Sequence, residues 1–163
     1  MGRVFFNTRE NIHELTASDA TYQCLASDSS KTFVLNSASA MTVTLPADAD
    51  IEFGWNCRFL MALDNNAAYN INCSDVTDTT GQMFTGGVNY QIVGDATADI
   101  FQGYAATAAD DSSIILDTNL ANNMAKAGSY IDIIYVAESK FMVTGHVVTA
   151  DANGTGAAIF SDI

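Results

Sequence analysis

Residues 31–46, KTFVLNSASAMTVTLP, and residues 54–74, GWNCRFLMALDNNAAYNINCS, decide the fold class of this chain. Residues 32–35 and 41–45 are β-branched and apolar, and Pro46 ends the second run because it cannot donate to a strand ladder. Residues 56–63 then resume an alternation of period two, and residues 64–68, Asp-Asn-Asn-Ala-Ala, carry turn chemistry. A hairpin is therefore expected, with Met61 opposite Tyr69, Phe59 opposite Ile71 and Cys57 opposite Cys73 on one apolar face.

Outside this stretch the pattern is the same. Turn-rich clusters recur at Ser27-Asp-Ser-Ser, Asp48-Ala-Asp, Thr77-Asp-Thr-Thr-Gly, Thr85-Gly-Gly, Asp110-Asp-Ser-Ser and Ala152-Asn-Gly. Between them lie candidate strands at residues 88–93, 114–117, 130–137, 141–148 and 157–160. In residues 128–148, GSYIDIIYVAESKFMVTGHVV, one face carries Ile131, Ile133 and Tyr135 and another carries Phe141, Val143 and Val147. A tight loop at residues 137–139 would bring those faces together. Residues 120–127, LANNMAKA, suit a helical turn as well as an irregular loop. No helix-period pattern of convincing length occurs, so an all-β fold is expected: an antiparallel β-sandwich, jelly-roll-like, spanning residues 21–163.

With 163 residues and 48% apolar content, the chain is large enough for one core without metal or disulfide staples. Its apolar runs all fall short of the roughly 20 residues of a membrane span, and the start, Met1-Gly-Arg-Val-Phe-Phe-Asn, does not read as a secretory signal. The formal net charge is −13, with a pI near 4.1, so the average surface repels phosphate backbones and no nucleic-acid partner is expected. Most acids are aspartates, which are poor in strand interiors and good in turns, so the acidity should rim the loops.

Residues 1–20 stand apart, as an N-terminal arm or edge segment. Val4, Phe5 and Phe6 have no periodic partner, and Arg3 and Arg9 precede the first acid, Glu10. The segment is either an ordinary edge strand or an arm that buries its aromatics on a neighbour. Arginine and aromatic residues are the usual anchors of such contacts, which makes Arg3, Phe5, Phe6 and Arg9 the candidate partner-binding residues.

Catalytic chemistry is hard to place. His13 lies in the N-terminal segment and His146 inside a candidate strand, where a half-exposed strand residue is expected. Cys24, Cys57 and Cys73 make an odd number at irregular spacing, read as buried reduced thiols, or as a Cys57–Cys73 bond if the hairpin register holds. Thr85-Gly-Gly-Val and Asn153-Gly-Thr-Gly lack the strand-to-helix setting of a phosphate cradle and read as turns. Asp151-Ala-Asn153 and Asp48-Ala-Asp50-Ile-Glu52 offer alternate oxygen atoms, yet neither completes a calcium loop. Trp55, beside Gly54, is read as a core or corner residue rather than a sugar platform. No enzyme activity, cofactor or metal is expected.

The runs SKTFVLNSASAMTVTLP and GWNCRFLMALDNN, with the later Gly128-x-x-Ile131-x-Ile133 and Phe141-x-Val143-x-Gly145, resemble a pattern in small all-β virion proteins of tailed bacteriophages. The likeness spans residues 31–74 and 128–145. Such modules occur in capsid decoration (cement) proteins and in tail fibres and spikes; the absence of a repetitive stalk favours decoration. The resemblance implies a homotrimer on the outer capsid surface that bridges copies of the major capsid protein. The alternative is a receptor- or glycan-binding module of a tail fibre or adhesin.

Overall fold

The computed structural model describes residues 11–64, 67–74, 81–92, 100–106, 111–116, 125–149 and 159–161. Strands β1 (Ile12–Leu15), β3 (Lys31–Leu35) and β5 (Asn56–Met61) lie side by side and parallel in one sheet. Strands β2 (Thr21–Gln23), β4 (Met41–Thr44) and β6 (Tyr69–Asn72) do the same in the other. The chain thus runs along one sheet, crosses the core, returns along the second and crosses back, making three stacked coils of a small parallel solenoid.

The later described strands extend both sheets. Strands β7 (Met83–Ile92), β8 (Ile100–Ala105), β10 (Tyr130–Ala137) and β11 (Lys140–Thr149) join the first, and β9 (Ser113–Leu116) and β12 (Phe160–Ser161) join the second. Among the described residues the first sheet has seven strands, ordered β1-β3-β5-β10-β11-β7-β8, and the second has five, ordered β12-β9-β6-β4-β2. Pairing is mixed: β10 is antiparallel to β5 and β11, β7 is parallel to β11, and β9 is antiparallel to β6.

The fold is all-β, with both sheets packed on a common core, but the sheets are mixed rather than antiparallel. The expected hairpin of residues 56–73 is not formed. Met61 pairs with Leu35, whereas Tyr69 and Ile71 pair with Met41 and Val43 in the other sheet. Alternation correctly put Cys57, Phe59, Met61, Tyr69, Ile71 and Cys73 on the inside, since all six are buried. A period of two fixes which face is inward; it does not say whether an inward neighbour lies beside a residue or across the core. The link at residues 62–68 is long enough to cross the ~10 Å between packed sheets.

The coils stack like side chains on like. His13, Phe33 and Phe59 form one row, and Leu15, Leu35 and Met61 the next. The Phe33 and Phe59 rings stack at 5.3 Å with an interplanar angle of 19°. On the outer face Arg58 spans to Asp132 through two bonds of 2.6 and 2.7 Å and lies over the Tyr130 ring. Asp64 clasps the chain across the far end, accepting from the Ala127 amide and from Lys126.

The closing hairpin forms as the sequence requires. Ile133 pairs with Val143 and Tyr135 with Phe141, all four buried, around a two-residue tip at Glu138 and Ser139. Ser139 holds the positive φ of 57° that the tip needs. Thr85-Gly-Gly, expected as a turn, lies instead inside β7, where Gly86 takes a φ of 89° beside the Val143 backbone. Strands β2 and β8 were not expected; β1 lies at an edge of the first sheet, within the segment read as an edge strand or an arm. The expected helical turn at residues 120–127 falls largely outside the described residues.

Candidate interaction surface

Because β1, β3 and β5 run parallel, they all start at the same end of the molecule. Residues 24–30, residues 45–55 and the β10–β11 tip gather at this end, where the backbones of Gly54 and Trp55 pair with Tyr135. Two acid networks, one centred on a buried carboxylate and one on a half-buried one, tie these loops down.

The first is centred on Asp28, which is buried although charged. Its carboxylate accepts from Lys31 Nζ at 2.7 Å, the Leu25 amide at 2.8 Å and the Tyr22 hydroxyl at 3.1 Å. Burial alone would raise its pKa; the bonds from Lys31, Leu25 and Tyr22 outweigh that and hold it below the ordinary carboxylate value. Burial, together with the same contact, pushes the Tyr22 phenol up. The His13 ring packs edge-on to Tyr22 at 5.0 Å.

A group whose folded pKa is depressed contributes stability that is complete above its unfolded value, about 3.9, and that drains away as pH falls through the folded value. Asp28→Asn should therefore lose about 2 kcal/mol near neutral pH, and the gap to the wild type should close on acidification. Thermal melts across an acid pH series check this; a gap that stays constant with pH would contradict the assignment.

The second network is centred on Asp48. One carboxylate oxygen accepts from both the amide and the hydroxyl of Ser139 at 2.8 Å, and the other accepts from Gln82 Nε2. Gln82, itself buried, also donates to the Pro46 carbonyl and accepts from Ser74. Asp48, considered as an ion ligand, thus serves as a staple between a loop and the hairpin tip. Among the described residues no group of three or more His, Cys, Asp or Glu side chains is placed to hold a metal. Asn153 and its neighbours lie outside the described residues.

The three thiols are free and buried, and desolvation raises the pKa of each. Apolar burial makes them inert rather than nucleophilic. Trp55 is a buried corner residue, donating from Nε1 to the Leu25 carbonyl at 3.2 Å and meeting Phe141 edge-on. His146 sits half-buried on β11, opposite Tyr130.

Among the exposed side chains of this end are three large apolar ones. Phe53 is 70% exposed, Leu25 57% and Val136 41%. Phe53 stands 5.5 Å from the Tyr135 ring, over a depression of about 680 Å³ lined by Asp48, Ile51, Glu52, Tyr135 and Glu138. A second depression, on the other side of Phe53, reaches Ala26, Ser29 and Asp50. An aromatic side chain held out on a rigid, acid-rimmed loop is a contact surface by its chemistry.

Arg3, Phe5, Phe6 and Arg9, the candidate contact residues of the sequence, lie outside the described residues. Phe53 escaped the sequence reading, which weighed only Trp55 beside it. Its signal was an aromatic between Glu52 and Gly54, in a loop where alternation has not yet begun. No family model, curated protein or solved structure matches this chain.

Proposed function

We propose that this chain is a non-enzymatic structural protein of a virion, a capsid decoration protein that binds the outer shell as a trimer and stabilises it against internal DNA pressure. The observation that carries the reading is the exposed Phe53 surface on loops locked by Asp28 and Asp48, which suits adhesion. A protein that binds the assembled lattice and not the dissociated subunits stabilises the lattice by mass action, and many copies make modest contacts count. A net charge of −13 keeps such a particle dispersed and indifferent to its genome. Closed symmetry would cover the sheet edges at β1 and β8.

A tail-fibre glycan-binding module is the second reading, favoured by the Phe53–Tyr135 pair beside Glu52 and Glu138, since sugars stack on aromatic faces and bond to carboxylates. Purified protein incubated with empty shells and with a glycan panel separates the two. Decoration predicts saturable binding to shells and a raised shell disruption temperature; density for this chain on the tail of a native particle, or glycan binding without shell binding, would overturn it.

A further inference from the structure

We propose that the depression beside Phe53 receives an arginine side chain of a partner protein, its guanidinium lying on the Phe53 ring and bonded to Glu52 and Glu138. The inference rests on the reading of this end as an adhesive surface and deepens it, by naming the chemistry that the partner must present.

The depression joins an apolar floor, Ile51, Phe53 and Tyr135, to the exposed side chains of Glu52 and Glu138. These are two of the four glutamates in the chain, and among the described residues neither carboxylate has an ion-pair partner. Asp48 lines the depression too, but its oxygens are occupied by Gln82 and Ser139. The described lining holds no Lys or Arg. Asp50 and Glu52 line the depression on the other side, so the exposed ring of Phe53 has carboxylates on both flanks. Tyr135 registers the resulting field: burial first, then the Asp48 and Glu138 carboxylates, push its phenol above the ordinary value. The complement of this surface is a cation that can also cover an aromatic face.

A guanidinium meets both demands better than an ammonium, because it is planar and weakly hydrated, stacks on rings and bonds carboxylates along its edge. The molecule builds this combination once for itself, on the outer face of the first sheet. There Arg58 makes two bonds to Asp132, and its guanidinium carbon lies 4.9 Å from the centre of the Tyr130 ring. The loop end presents the ring and the carboxylates of the same arrangement, on a surface open to a partner. They are also held in place beforehand. The Phe53 ring stands 5.5 Å from that of Tyr135, the Gly54 amide donates to the Tyr135 carbonyl at 2.9 Å, and Asp48 fastens the loop to Ser139, next to Glu138. Such preorganisation lowers the ordering cost of binding.

The probes are acetyl-Gly-X-Gly-amide peptides in which X is arginine, lysine or citrulline, the uncharged counterpart of arginine. Titrated into the isotope-labelled full chain, the arginine peptide should shift the resonances of Glu52, Phe53, Tyr135 and Glu138. It should bind there at least about fivefold more tightly than either of the other two. Phe53→Ala and the pair Glu52→Gln/Glu138→Gln change exposed side chains and should each abolish that preference at an unchanged melting temperature. Glu14→Gln, which removes an exposed carboxylate on β1, should keep it. Equal binding of the three peptides to the wild type would overturn the proposal and needs no variant to fold. A preference that survives in Phe53→Ala would overturn it as well, as would a glycan that saturates these resonances where arginine does not. Shell binding is measured separately: arginine preference without shell binding strikes the decoration reading alone, whereas shell binding without arginine preference strikes this inference alone.

Discussion

Replacing Gly86 or Gly145 by alanine is expected to lower the melting temperature by about 10 °C, the largest effect of any single methyl addition in the described fold. A Cβ on Gly86 would stand 2.4 Å from the Val143 carbonyl oxygen, and one on Gly145 would stand 2.5 Å from that of Tyr130 and 3.1 Å from the Ile131 Cα. These are backbone atoms in the middle of the β10–β11–β7 ladder, so they cannot swing away as a side-chain tip would. Gly86 adds a φ of 89°, which a side chain tolerates poorly. Overpacking of this kind costs roughly 3 kcal/mol or more, and for a chain of this size each kcal/mol is worth about 2–4 °C.

Three other glycines supply the scale. Gly54 and Gly128 have φ near 90° but open space around the missing Cβ, so alanine there should cost only the backbone term, about 1 kcal/mol. Gly103 has neither constraint, and alanine should be close to neutral. Thermal melts of the five variants give the order directly. A Gly86→Ala protein that melts within a degree or two of the wild type would mean that β7 does not approach Val143 as closely as described.

The closing hairpin was legible in the sequence because its tip is only two residues long, and so short a link leaves β11 nowhere to go but back along β10. Inward faces were legible too, through strict alternation in residues 56–61 and 69–73. Lateral neighbours were not. Leu15, Leu35 and Met61 share one row of the coils but are unequally spaced in sequence, so no repeat announces itself. Strands β1 and β2 are short and partly polar, IHEL and TYQ, and hold their place through Leu15 and the Tyr22–Asp28 bond rather than through propensity. Gly86 and Gly87 read as a turn because glycine marks turns more often than close backbone approach. At the loop end, the acids appeared as solvated turn residues; Asp48 locks its loop through donors far along the chain, Gln82 and Ser139, whereas the donors to Asp28, Tyr22, Leu25 and Lys31, are local.

The coil arrangement itself makes the other large prediction. Phe59→Ala and Phe33→Ala should each cost about 4 kcal/mol, because both rings are fully buried and alanine leaves a cavity that a two-sheet core cannot collapse to fill. The double variant should cost about 1 kcal/mol less than the sum, since the stacked rings at 5.3 Å stabilise one another and the second truncation loses a contact already gone. A hairpin of residues 56–73 would place Ile71 beside Phe59, whereas the coils place Phe33 there, on the parallel strand, with Ile131 on the other side. Urea denaturation of the two singles and the double measures the coupling. Additive costs would separate Phe33 from Phe59 and dismantle the stacked coils, whereas a coupling near 1 kcal/mol makes β3 and β5 neighbours and leaves the hairpin no room.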